Sequence, residues 1–176
     1  MRGGEVESRW AELRALELEL ARARREHGQP VARHDSLPLA LVQQHLVDRT
    51  LLLDYYCTDR AVSVFGIGRS EVVVVDQLAL LADLESLIHR WRFNLESVRL
   101  LGPVPSLQNE AQEILSELSR LLIEPLAPHL EAHDALWIAP HDLLWTVPFA
   151  ALWDGERYLV ECFRLTHLPG VTMADP

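Results

Sequence analysis

Cysteine is scarce in this chain of 176 residues: only Cys57 and Cys162, far apart, with no CxxC and no Cys/His ligand spacing. A zinc site is therefore not expected. The N-terminus, MRGGEVESRW, has no apolar run of the signal-peptide kind. Two cysteines in such an acidic chain read as reduced, buried thiols of a cytoplasmic protein. No apolar run approaches the roughly 18 residues that a membrane span needs, so a soluble chain without a membrane partner is expected. Basic residues are few, with 16 Lys and Arg against 26 Asp and Glu and a net charge of −10. Phosphate backbones are held by clustered cations, so no nucleic-acid partner is expected either. Arg22, Arg24 and Arg25 are a local exception, and their alternation with Glu and Ala reads as a solvated helix face. Gly66 and Gly68 stand in a hairpin turn followed by a strand, which is no phosphate loop. No cofactor is expected.

What remains suits one domain with an appendage, given the length and a hydrophobic fraction of 49%. Residues 5–27 read as an amphipathic helix, with Trp10, Leu13, Leu16 and Leu20 at spacings of three and four. Gly28 and Pro30 end it, and residues 28–38 form a linker. A short helix over 39–47 follows, with Asp35 or Ser36 as cap and Pro38 early in the helix. Three strands, 50–57, 61–67 and 71–75, are separated by short polar turns and predict an antiparallel meander. Leu80, Leu84, Leu87, Ile88 and Trp91 predict a helix over about 79–93. After Gly102 and Pro103, Ser106 caps a second helix whose apolar face runs from Leu107 to Leu122, with Pro125 and Pro128 as the stop.

The stretch 134–170 carries Trp137, Trp145, Trp153, Phe149 and Phe163, and their bulk marks it as the main core. Ala135 to Ala139 (ALWIA) is a continuously apolar strand, as in a parallel sheet buried on both faces. Residues 149–153 suit a helical turn and 161–167 a second strand. The fold class expected is α/β, an antiparallel meander plus helices leading into the first strands of a larger sheet, with an N-terminal helix.

Ile138-Ala139-Pro140-His141, Val147-Pro148-Phe149-Ala150-Ala151-Leu152 and Arg157-Tyr158-Leu159-Val160-Glu161 stand here in an order that resembles the first half of a CHAT domain. The hairpin 50–67, the helix LLADLESLIHRW and the segment LSRLLIEPLAPHL extend the resemblance to about residues 42–170. The resemblance implies a caspase-like sheet of the separase and gingipain clan, frequently preceded by tetratricopeptide repeats. Residues 1–30 would then be the N-terminal helix closing such an array, and 31–176 a partial CHAT domain. The family's chemistry is that of a cysteine peptidase, with a His-Gly segment after the third core strand and a Ser-Ala-Cys-like segment after the fourth. Neither segment has a counterpart here, and Pro169-Gly170 departs from the family's Pro-Ser. The expectation is a fragment ending before the dyad, with no catalytic, cofactor-binding or metal-ligating residue of its own. Three roles follow: a non-catalytic interaction or scaffold module, a peptidase half completed in trans by a partner, or a self-associating module unrelated to proteolysis. A protein partner or self-association is common to all three.

Several residues suggest chemistry and are better explained otherwise. Cys162 and His167, five apart on one strand, would face opposite sides. His141 is a turn residue. His129 and His133, four apart, mark the solvated end of a helix and have no third ligand. The tryptophans are core rather than a stacking platform.

Overall fold

A computed structural model of the chain describes residues 38–168, so the helix expected over 5–27 lies outside the described residues. Five strands form one mixed sheet in the order β3-β2-β1-β4-β5. β1 (Thr50–Cys57), β2 (Ala61–Ile67) and β3 (Val72–Leu80) are the antiparallel meander. β4 (Ala135–Ala139) lies parallel to β1, and β5 (Arg164–His167) lies parallel to β4. The α/β class, the meander and the first parallel strands are therefore as the sequence indicates.

β1 is the central strand, and its first four residues are all buried. The register puts Leu51, Leu53 and Tyr55 of β1 on one face with Val64 of β2 and Leu136 and Ile138 of β4. That face meets α2 (Leu81–Leu101) and α3 (Pro105–Leu122) through Leu84, Leu87, Ile88, Ile114, Leu118 and Leu122. The Tyr55 hydroxyl donates to the Leu122 carbonyl at 2.9 Å, so the ring is buried with its polar end satisfied. On the opposite face the short helix α1 (Leu39–His45) lays Val42, with Leu46 just after it, over Leu52, Ile67 and Ala139. Arg49 donates twice to the Asp134 carboxylate, at 2.5 and 2.8 Å, tying together the turns that launch β1 and β4.

Several boundaries differ from the sequence reading. β3 runs on to Leu80 because pairing with β2 shifts register between Val62 and Val64 and then resumes at Val62–Ala79 and Ala61–Leu80. At the irregularity Gln77 is left-handed (φ 50°), and its N–H donates to Ser63 Oγ and to Asp76 Oδ1. α2 continues eight residues past 93 to Leu101, since nothing breaks it before Gly102, whose φ of 80° ends it. α3 starts with Pro105 at its first position and Val104 as cap residue, so Ser106 lies inside the first turn and caps nothing. Pro38 occupies the cap position of α1, with no side-chain cap. β5 begins only at Arg164, because Leu159–Cys162 close a helical turn, α5. There the Glu161 carboxylate accepts from the Tyr158 N–H at 2.7 Å, and the Phe163 N–H donates to the Leu159 carbonyl.

The aromatic stretch is also not the centre of the core. Phe149 is buried, but Trp137, Trp153 and Phe163 are only partly covered and Trp145 is 50% exposed. The fully buried side chains are mostly Leu and Ile spread over β1, β4, α2 and α3. Leu136→Ala should therefore destabilise the fold by about 3 kcal/mol, the cost of an aliphatic cavity, while Trp145→Ala should change it by less than about 0.5 kcal/mol. Urea unfolding of the two variants against the parent checks the pair.

Candidate functional site

In open sheets with parallel strands, chemistry gathers at the carboxyl ends of the strands. β1, β4 and β5 run the same way, so that edge presents Cys57, the Ala139-Pro140-His141-Asp142 turn and His167. Here the last residues of β1 and the turn after β4 lock together. The Cys57 N–H donates to His141 Nδ1 at 3.2 Å, and the Cys57 thiol donates to the His141 carbonyl at 3.3 Å. The imidazole stacks on Tyr56, with ring centroids 5.1 Å apart and planes at 29°. Asp142 takes a left-handed backbone (φ 52°), which an aspartate tolerates better than most residues. Asp54 sits two residues back on the same strand face as Tyr56, and burial holds its carboxyl above the usual carboxylate range, opposed by nearby His141. His141 is exposed, as a turn residue should be, but it also organises this corner.

The corner holds a thiol, an imidazole and a carboxyl, yet it is not arranged as a nucleophile. The thiol meets the main-chain carbonyl of His141 and not its ring. Burial and then the Asp142 charge push the thiol up to about 11. A thiol held neutral is a poor nucleophile, because reactivity belongs to the thiolate. A neutral His141 whose Nδ1 accepts from a main-chain amide carries its proton on Nε2.

The other candidate residues fall apart. Cys162 ends α5 instead of lying on a strand, and it is half-buried where a buried thiol was expected. His167 ends β5, and its ring meets Phe149 edge-on at 5.9 Å. His129 and His133 do not converge, because His133 Nδ1 bonds the His129 carbonyl at 2.9 Å. His133 is not solvated as expected: its side chain is only 7% exposed, and Nε2 lies 3.5 Å from Glu71 Oε1. Among the described residues no group of three or more His, Cys, Asp or Glu could hold a metal ion. Trp153 packs against Tyr158, at 4.7 Å between centroids, and borders a shallow open depression with Asn109, Gln112, Glu113 and Ser116. No described helix is long and apolar enough to cross a membrane.

β5 leaves one edge unpaired in the sheet order. Its bonds to β4 include Arg164 N–H to the Asp134 carbonyl (3.0 Å) and, just beyond the strand, Leu168 N–H to the Ile138 carbonyl (2.8 Å). Alternate residues of a parallel strand bond to opposite sides, so the N–H and C=O of Leu165 and His167 face the open edge.

A mixed sheet with helices against it, closed on one side by the parallel pair β4–β5, defines an α/β protein. Residues 112–174 match the CHAT domain family model, so the chain is a CHAT domain-containing protein. The match begins within α3 and takes in β4, the Pro148-Phe149-Ala150-Ala151-Leu152 turn, α5 and β5. No curated protein and no solved structure matches the chain.

The state of Cys57 gives a direct prediction. With its thiol near 11, about one molecule in a thousand carries the thiolate at pH 8. A disulfide-exchange reagent should therefore modify Cys162 first and reach Cys57 slowly, with the rate climbing steeply above pH 9. Because the folded-state value is raised, the associated stability is intact below about 9 and is lost as pH rises toward 11. Peptide mass spectrometry of partly labelled native protein checks the order, and Cys57 labelling as fast as Cys162 at pH 8 would overturn it.

Proposed function

We propose that this CHAT domain-containing chain acts as an interaction or scaffold module, and that it takes up a further β-strand along the open edge of β5. The observation that carries the reading is the outward-facing main chain of Leu165 and His167, which offers two N–H and two C=O groups in register for a parallel neighbour. An edge of this kind is a ready template for another chain. The neutral, carbonyl-bonded Cys57 supports a role that is not proteolysis by these residues.

A second reading is a peptidase half completed in trans. It is favoured by one feature, the shared direction of β1, β4 and β5. Strands added beyond β5 would bring their own carboxyl ends, and any His/Cys dyad following them, to the edge that already presents His141 and His167.

His167→Pro tests the edge with little harm to the sheet, because it removes only an outward N–H, and proline is tolerated on edge strands. Affinity capture from the source with parent and variant as baits should recover a protein with the parent that the variant loses at least tenfold. Equal recovery would remove the edge from consideration. An electrophilic thiol probe applied to the captured material separates the two readings: a labelled partner favours the trans peptidase, and an unlabelled one the scaffold.

A further inference from the structure

The largest exposed apolar side chains of the described residues cluster on one helix. On α2, Phe93 is 66%, Leu100 76% and Leu101 72% exposed. Their spacing puts them, with Ser97, along one side, and Ala82, Ser86 and His89 continue that side toward the N-terminus. The opposite side carries the buried Leu84, Leu87, Ile88 and Asn94. Asn94 donates to the Leu107 carbonyl at 2.9 Å and fixes that side against α3. α2 is thus apolar on two sides, whereas α3, of similar length, confines its buried residues to one. A helix with a second apolar side has a second neighbour to find.

Two gradients along α2 identify the neighbour. The first is size: the outer side is small in its first half (Ala82, Ser86) and bulky in its second (Phe93, Leu100, Leu101). The second is charge: Asp83 and Glu85 lie early, and Arg90, Arg92 and Arg99 lie late. Arg90 and Arg99 already approach Glu117 and Glu96, at 3.6 and 3.1 Å, but these exposed pairs are weak and easily shared. A parallel copy would set bulk on bulk and like charge on like. An antiparallel copy sets bulk into small and acid beside base. Centred near Phe93, it places Leu100 of one copy beside Ser86 of the other, and Arg99 within one turn of Glu85.

We infer that the outer face of α2 is a self-docking surface on which two copies of this chain pair antiparallel about a twofold axis through the helix centre. Such a contact is self-complementary, as a twofold interface must be, and it interdigitates side chains as packed helices do.

The test uses the full chain in size-exclusion chromatography with light scattering at tens of micromolar. The expected mass is that of two 20.0 kDa chains. The double variant Phe93→Glu/Leu100→Glu, both at exposed positions, should run as one chain with unchanged circular dichroism. Glu85→Lys should raise the dimer dissociation constant about tenfold, and adding Arg99→Glu should restore it to within about threefold. A parent chain of single mass, or a dimer indifferent to Phe93→Glu/Leu100→Glu, would overturn the inference. His167→Pro should leave this dimer intact, so failure here and failure of the strand-edge reading are distinguishable.

Discussion

The architecture depends on the pairing of β1 with β4. β1 is antiparallel to β2 on one side and parallel to β4 on the other, from Thr50–Ala135 to Asp54–Ala139. Without β4 the meander would be a local hairpin set with one open edge and one bare face. Parallel pairing also demands a long connection, and here that connection is α2 and α3, which cover the face carrying Leu53, Tyr55, Leu136 and Ile138. The strand pair and its cover are therefore formed by one crossing of the chain. The same pairing aligns the carboxyl ends of β1 and β4, which lets Cys57 reach His141 across 84 residues of sequence. Closing so long a loop is entropically costly, and it is offset only when Leu51, Leu53, Leu136 and Ile138 all leave water together.

β1, β2 and β4 were legible to the residue because each is an apolar or β-branched run between turn residues, and such a run has few other places to go. β3 was legible only to Val75. Its second half reads Asp76-Gln77, polar residues that sit at the register irregularity, where Ser63 and the strand's own Asp76 meet the Gln77 amide. A sequence cannot announce that a polar pair belongs to a strand when the bonds that keep it there come from another strand. The end of α2 was missed for a related reason. Phe93, Leu100 and Leu101 fall off the stripe set by Leu84, Leu87 and Ile88, so periodicity alone stops the helix too soon.

Aromatic density misled in a different way. The tryptophans lie near the core, but the helix and strand positions that fully exclude water are aliphatic, and Trp145 stands half in solvent on the turn after β4. Bulk in a loop-rich stretch shows where the chain must be anchored, not where the interior is. The corner made by Cys57, Tyr56, Asp54 and His141 was likewise out of reach as a constellation. One signal was present: a Pro-His-Asp turn directly after an apolar strand of parallel type, the place where such sheets gather polar groups.

The two unsatisfied surfaces differ in physics, and that difference separates their roles. The β5 edge offers main-chain groups, so what it accepts is set by register and direction and little by side-chain identity. The α2 face offers side chains graded in size and charge, so what it accepts is set by complementarity to that gradient. A chain with net charge −10 repels its own copies at a distance. At physiological salt, charges more than about 8 Å apart are largely screened, so repulsion between whole molecules fades while contacts at a helix pair persist. Self-recognition in so acidic a protein thus requires locally segregated charge, and along the described helices α2 is where acid gives way to base beside exposed apolar bulk.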